Sequence, residues 1–151
     1  MSAPTVIFFD LGDTLVVPEF DAAGTLAALK PLPFVGEVLD ALRTGGGQHP
    51  PRLGLMSNTP AAATRESMQA LLVQAGLFAR LDPALLVYSS VEGLTKNDKA
   101  FFTRGATRAG VPAARCIFVG EDAKERATAG SAGFQVSFHP LHVFHVLRQI
   151  Q

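Results

Sequence analysis

Short apolar runs alternate along this chain with stretches in which apolar residues recur at helical spacing. Val6–Phe9 is a continuous β-branched and aromatic run, which is typical of a strand buried on both of its faces. Between residues 33 and 42 the apolar positions lie three and four apart, which predicts an amphipathic helix that ends at the glycines of 45–47. The pattern therefore changes from strand to helix within the first third of the chain.

The same alternation continues towards the C-terminus. Strands are predicted at residues 53–56, 85–88, 116–119 and 134–137, and helices at 61–74, 99–108, 123–132 and 142–150. We expect Gly76 and Gly110 to end two of these helices, because glycine tolerates the left-handed conformation. This order predicts a three-layer, Rossmann-like α/β fold over residues 1–151, with a central, mostly parallel five-stranded sheet and helices on both faces.

Polar side chains follow the predicted strands where those strands end. Asp10 follows the first strand and Ser57 the second, Lys96 lies beyond the third, and Glu121 comes soon after the fourth. In parallel sheets, ligands bind outside the carboxyl ends of the strands. We therefore expect these four side chains to share one site.

Composition limits the classes of partner and compartment. The chain has 13 basic and 13 acidic residues, so its net charge gives no reason to expect a nucleic acid or an anionic membrane as a partner. The N-terminal apolar run has no basic segment before it and is too short to span a bilayer, which argues against a signal peptide. Cys116 is the only cysteine, so no internal disulfide can form, and we expect a cytoplasmic protein.

The first two strand ends offer a nucleophile and oxygen-binding groups. The Asp10 carboxylate could attack phosphorus in line while sharing a metal ion with the transferred group. Taken alone, Asp10 is more readily explained as a turn residue beside glycine. Ser57 and Asn58 could hold phosphoryl oxygens, although Ser57 taken alone fits better as the N-cap of the next helix.

The later strand ends offer a cation and a group of acids. Lys96, if close to Asp10, would neutralise charge on the nucleophile and the substrate, whereas most lysines are solvated surface residues. Glu121, Asp122 and Glu125 provide hard oxygen ligands of the kind that Mg²⁺ prefers. Acids are also favoured at the start of a helix by its dipole, which is the simpler explanation of this group.

The order and spacing of these segments resemble the haloacid dehalogenase (HAD) superfamily. The nucleophile segment matches DxxxT, residues 96–102 resemble KPDPxxF, and residues 119–134 resemble VGDxxxDxxxAxxAGF. The resemblance implies catalytic roles for Asp10, Ser57 and Lys96, and phosphate binding by Thr14, Ser57, Asn58 and Lys96. It implies a Mg²⁺ site formed by Asp10, the Gly12 carbonyl and the acids Glu121, Asp122 and Glu125.

Two positions depart from the family pattern. Phosphatases of the family carry an aspartate two residues after the nucleophile as general acid and base, and this chain has Gly12 there. Asp13 lies one place later, and the shift changes the direction of its side chain, so it is not expected to substitute. Loss of general acid–base catalysis slows a reaction about 10²–10⁴-fold. Glu121 and Glu125 replace aspartates, which changes the fit to the strict octahedral geometry of Mg²⁺.

The segments between the motifs are too short to hold a cap domain. We expect a small helical turn or flap at residues 23–29, and residues 18–20 are the local candidates to cover the open site. In this family an open site accompanies large substrates, or homo-oligomers that cover the site from a neighbouring subunit.

The resemblance implies a slow Mg²⁺-dependent phosphatase that acts on a phosphorylated substrate through an aspartyl-phosphate. The alternative is a catalytically impaired HAD-fold protein that binds a phosphorylated ligand or a protein partner. The acids at Glu121 and Asp122 disfavour attack on carbon, as in the dehalogenases. The position of Asp10 after the first strand disfavours a receiver domain. A zinc site at His139, His142 and His145 is disfavoured, because no Cys or acid joins them.

Overall fold

A five-stranded parallel sheet forms the centre of the computed structural model, which describes residues 4–44 and 49–150. The strands in chain order are β1 (Val6–Phe9), β2 (Val16–Phe20), β3 (Leu26–Pro31), β4 (Arg52–Ser57), β5 (Leu86–Tyr88), β6 (Cys116–Val119) and β7 (Gln135–Ser137). The sheet order is β5-β4-β1-β6-β7, and every neighbouring pair is parallel. The predicted five-stranded parallel sheet is confirmed.

Five α-helices lie between strands in the described part of the chain, and a sixth follows the last strand. In chain order they are α1 (Val35–Thr44), α2 (Arg65–Gln74), α3 (Ser89–Glu92), α4 (Lys99–Ala109), α5 (Ala123–Ser131) and α6 (Val143–Ile150). The predicted helix and strand positions agree with these to within a few residues, except that β2, β3 and α3 were not predicted and that α2 begins later than predicted. The predicted end of the first helix at residues 45–47 lies outside the described residues.

The core lies in two layers, one on each face of the sheet. Alternate residues of β1 point to opposite faces, since the side chains of a strand alternate. Ile7 and Phe9 belong to a cluster with α1, α2 and α6, whereas Val6 and Phe8 belong to a cluster with α4 and α5. All four side chains are fully buried. The predicted three-layer arrangement is therefore confirmed.

Helix α2 begins later than the apolar pattern predicts. Its N-cap is Thr64, whose side chain accepts a hydrogen bond from the Ser67 amide, while the Ser67 hydroxyl accepts one from the Thr64 amide. This reciprocal capping fixes the start of the helix at Arg65. The N-cap interpretation of Ser57 is wrong, because Ser57 is the last residue of β4. Gly76, with φ of 76°, follows the C-cap Ala75, and Gly110, with φ of 70°, is the C-cap of α4.

The segment between β1 and α1 forms a β-hairpin, not a helical turn. β2 and β3 pair antiparallel, from Val16 opposite Pro31 to Phe20 opposite Leu26. At the turn, the Asp21 carboxylate accepts hydrogen bonds from the amides of Ala23 and Thr25. The predicted flap is thus present as a hairpin, and the helical turn predicted at residues 23–29 is wrong. No cap domain is inserted in the described residues, and none of their helices has the length and apolar character needed to cross a bilayer.

Candidate active site

The site lies at the carboxyl ends of β1, β4 and β6. Phe9, the last residue of β1, is in register with Val119, the last residue of β6, and with Leu55 of β4, which continues for two more residues to Ser57. The Asp10 amide continues the ladder by donating to the Val119 carbonyl over 2.8 Å. The site residues that follow these strands are thus held by the sheet itself.

Asp10 is held by hydrogen-bond donors on both of its carboxylate oxygens. The Thr14 hydroxyl donates to Oδ2 over 3.2 Å, and the Lys96 ammonium makes a short contact with Oδ1. Asp10 is only 7 % exposed and Lys96 only 2 % exposed. The charges of Asp10 and Lys96 neutralise each other in a poorly hydrated place, where an unpaired charge would be costly.

Lys96 also contacts a second carboxylate, that of Glu125. Its Nζ lies 2.8 Å from Glu125 Oε1, and this buried oxygen has no well-aligned hydrogen bond among the described residues. Burial raises the pKa of Glu125, Lys96 lowers it, and the negative charge of Asp10 adds to the rise. The Nζ also lies 5.7 Å from the centre of the Phe118 ring, a distance at which a ring face attracts a cation. One ammonium therefore bridges two carboxylates.

The loop after β4 carries Ser57 and Asn58. Ser57 is buried, and within the described part of the chain its hydroxyl has only a long contact of 3.5 Å, to the Asn58 carbonyl. The Asn58 side-chain carbonyl accepts a hydrogen bond of 3.0 Å from the Lys96 amide. Asn58 therefore positions the backbone of Lys96, while its own amide nitrogen and the Ser57 hydroxyl are the groups left to meet a ligand.

A hydroxyl cluster that the sequence motifs did not indicate fixes this same loop. The Thr59 amide donates to the Ser89 hydroxyl over 2.8 Å, and the Thr59 and Ser90 hydroxyls lie 2.6 Å apart. The Thr59 hydroxyl also accepts from the Ser90 amide over 3.1 Å. Ser89 and Ser90 directly follow β5, so the same search for polar residues at strand ends would have found them.

The three predicted acids occupy different environments. Asp122 is the N-cap of α5 and accepts a hydrogen bond of 2.9 Å from the Glu125 amide, which lowers the pKa of Asp122. Glu121 is exposed to solvent. Glu125 alone contacts the Asp10–Lys96 pair. The helix-start interpretation therefore accounts for Asp122. The argument that acids near Asp10 disfavour dehalogenase chemistry, in which the nucleophile attacks carbon, now depends on Glu125.

The turn after Asp10 leaves space at Gly12, where phosphatases of the family that the sequence resembles carry an acid. A Cβ built on Gly12 would have no neighbour closer than 4.0 Å, and the nearest atoms belong to Pro18. Asp13 is exposed and has φ of 62°, in the left-handed region. The nearest acidic side chain in sequence therefore faces solvent.

The donor chemistry around Asp10 fits a hard cation such as Mg²⁺. No group of three or more His, Cys, Asp or Glu side chains in residues 4–44 and 49–150 is arranged to hold a metal. Mg²⁺, however, usually keeps several waters and binds through one or two carboxylates together with substrate phosphates. The Asp10 and Glu125 carboxylates supply oxygens of that kind, and both also contact the Lys96 ammonium.

The three C-terminal histidines are engaged in packing and hydrogen bonds. His142 Nδ1 lies 2.8 Å from the Ser137 hydroxyl, and its ring stacks on Phe138 with 4.4 Å between the centres. His139 Nδ1 accepts a hydrogen bond from the Leu141 amide. A zinc site at these residues finds no support within the described part of the chain.

Comparison with known proteins gives matches among solved structures. No family model and no curated protein matches the sequence. An uncharacterized protein from Listeria monocytogenes serotype 4b aligns with a TM-score of 0.77 at 18 % identity, over 97 % of this chain and 98 % of that one. A HAD-superfamily hydrolase from Ehrlichia chaffeensis aligns with a TM-score of 0.69 at 12 % identity, over 99 % and 98 %.

This chain has the HAD fold. A HAD phosphatase from Thermococcus onnurineus also matches, with a TM-score of 0.63 at 17 % identity, over 79 % of this chain and 59 % of that one. Dehalogenases are among the other matches. At these identities the similarity confirms the fold implied by the sequence resemblance, and the chemistry has to be argued from the site.

Proposed function

We propose that this HAD-fold protein is a slow, Mg²⁺-dependent phosphatase that forms an aspartyl-phosphate at Asp10. The observation that carries the proposal is the Lys96 ammonium, which contacts both Asp10 and Glu125. A buried carboxylate oriented by Thr14 and Lys96 is arranged to act as a nucleophile. The phosphatase among the structural neighbours is consistent with this chemistry.

In the first step an Asp10 oxygen attacks phosphorus, and the bond from phosphorus to the alcohol oxygen breaks. The leaving oxygen takes its proton from solvent, because Gly12 offers no acid at the position from which family members supply it. In the second step water attacks phosphorus and loses a proton to solvent, the bond from phosphorus to the Asp10 oxygen breaks, and inorganic phosphate leaves the restored Asp10 carboxylate. The missing acid slows both steps, by about 10²–10⁴-fold.

The chain's other groups bind and orient the phosphoryl group. Lys96 offsets the negative charge that gathers on Asp10 and the substrate. The Ser57 hydroxyl and the Asn58 amide nitrogen donate to phosphoryl oxygens, and Thr14 holds the Asp10 rotamer. Asp10, the Gly12 carbonyl and Glu125 would hold a bound Mg²⁺, which would supply further neutralisation of the phosphoryl charge.

A second function is favoured by one observation, the absence of an acid at Gly12. A catalytically impaired protein could use the same Ser57, Asn58 and Lys96 groups to bind a phosphorylated ligand without turning it over. Such a protein would retain phosphate binding when Asp10 is replaced by Asn, and wild type would show no hydrolysis.

Hydrolysis of an aryl phosphate with and without Mg²⁺ tests the proposal. We expect wild type to release the phenol in a metal-dependent way, and Asp10→Asn to lose that rate. Asp13→Asn is the matched control, because Asp13 is exposed and asparagine tolerates its left-handed conformation. Equal rates in wild type and Asp10→Asn would contradict the phosphatase and favour the binding function.

A further inference from the structure

A cavity of about 440 Å³ lies between the tip of the β2–β3 hairpin and helix α2. Its size falls within the range of small-molecule sites, about 300–1,000 Å³. The described residues that line it include no charged side chain, and most are apolar: Leu26, Pro60, Ala63, Met68, Ala70 and Leu71. Such a lining suits an uncharged, apolar group and disfavours a phosphate.

The cavity and the candidate active site share the loop after β4. Pro60 lines the cavity and lies three residues after Ser57. Because an extended chain covers at most about 3.6 Å per residue, the two Cα atoms are within about 11 Å of each other. A molecule that occupies both places has to span a distance of this order.

The loop between these two places is fixed. Thr59 is hydrogen-bonded to Ser89 and Ser90, which follow the neighbouring strand β5. On its other side, Asn58 is tied to the Lys96 amide. These hydrogen bonds restrain the separation between the rim of the cavity and the phosphate-binding groups, as a two-part substrate site requires.

We propose that this cavity binds the apolar alcohol part of a phosphate monoester whose phosphate reaches Asp10. The inference rests on the proposed phosphatase function and names the substrate class for it: phosphorylated alcohols with an aliphatic or aromatic body. The alanines at 62, 63 and 70 leave the space, and the hairpin supplies the opposite wall. Polar phosphate esters such as glycerol phosphate gain nothing from such a lining.

Calorimetric titration with alkylphosphonates tests this proposal, because their carbon–phosphorus bond resists hydrolysis. Methylphosphonate measures the phosphate site alone, and octylphosphonate measures the phosphate site and the cavity together. Each methylene buried contributes about fourfold in affinity. We expect octylphosphonate to bind wild type at least about tenfold more tightly than methylphosphonate, with Mg²⁺ present.

Two variants fill the cavity. Ala70→Trp fills it from α2, and Ala62→Phe fills it from the loop after β4. Both are expected to remove the gain in affinity of octylphosphonate over methylphosphonate and to leave methylphosphonate binding unchanged. Gln69→Trp is the matched control, because Gln69 is exposed on the same helix and does not line this cavity. It is expected to keep the gain.

Three outcomes would overturn the proposal, and only the last of them also contradicts the proposed phosphate site. Equal affinity for both phosphonates, or a gain that survives in both filled variants, removes the cavity from the substrate site and leaves the phosphatase function standing. Failure of both phosphonates to bind wild type contradicts the phosphate site itself, and the cavity proposal falls with it.

Discussion

The Lys96 ammonium contacts the Asp10 carboxylate although 86 positions separate the two residues in sequence. The fold makes this contact by placing Asp10 at the end of the central strand and by tying the Lys96 amide to Asn58, beyond the neighbouring strand. Glu125 contacts the same ammonium from a third segment. Lys96 therefore joins three parts of the chain that the sheet brings together.

Replacing Lys96 by Met removes the charge that Asp10 and Glu125 share. We expect the rate of aryl phosphate hydrolysis to fall about 10²–10³-fold, the scale on which loss of one electrostatic stabiliser acts. We also expect a loss of about 3 kcal/mol in the free energy of unfolding at pH 8, because two carboxylates remain without their cation. Urea unfolding and steady-state kinetics measure the two effects.

Lys99→Met is the matched control for the Lys96 variant. Lys99 lies three residues further on and is exposed. Its replacement removes the same charge from the protein without touching either carboxylate. Similar losses in the two variants would mean that net charge, and not the bridge at Lys96, causes the effect.

Restoring an acid at Gly12 tests whether the rest of the site is competent. The structure gives a side chain room there, since a Cβ at this position would have its nearest neighbours 4.0 Å away and the glycine is not in the left-handed region. We expect Gly12→Asp to raise the hydrolysis rate by about 10²–10⁴-fold. Gly12→Asn, which adds the same bulk without an acid, should leave the rate near that of wild type. Equal gains would point to a steric effect.

The sheet and most helices were predictable because their patterns are local. β1 and β6 are continuous apolar runs whose predicted limits agree with the structure. The β2–β3 hairpin was not predictable in this way, because Leu26 and Leu29 lie three apart among alanines and fit a helical pattern as well as a strand pattern. Pairing with β2, a contact outside the segment, decides between the two.

The sequence shows that Glu121, Asp122 and Glu125 follow β6, but it does not show what each side chain contacts. Asp122 followed by Glu125 three residues later is the sequence pattern of a helix start, and it would have indicated that Asp122 is a cap. Which acid reaches Lys96 depends on the orientation of α5 against β6, and no local pattern sets that orientation. The metal-binding assignments of Glu121, Asp122 and Glu125 remain predictions.

A methyl group at Gly120 should disturb the packing beside the nucleophile. A Cβ there would lie 2.7 Å from the Phe118 ring and 3.5 Å from the Asp10 Cβ, and that ring contacts the Lys96 ammonium. We expect Gly120→Ala to reduce the free energy of unfolding by about 1–3 kcal/mol, the usual cost of overpacking. Gly130→Ala is the control: it has no neighbour within 4 Å and lies inside α5, so it should stabilise by about 1 kcal/mol.

The raised pKa of Glu125 predicts a pH dependence of stability. Burial is the main cause of the rise, so the folded protein holds the Glu125 proton more tightly than the unfolded chain does. A raised folded pKa gives stability that is fully present below the unfolded value of about 4.3 and is lost as the pH rises through the folded pKa. We therefore expect wild type to lose stability relative to Glu125→Gln as the pH rises from about 4 to 7.

Urea unfolding of both proteins across this pH range measures the difference, and Glu121→Gln serves as the control. Glu121 is exposed, so its replacement removes one negative charge without disturbing the contact between Lys96 and Glu125. The opposite slope, with wild type gaining stability over Glu125→Gln as the pH rises, would mean that the attraction of Lys96 outweighs the burial of Glu125. In that case the ion pair would be a net stabilising contact at neutral pH, and the bridge would hold the three segments of the site together.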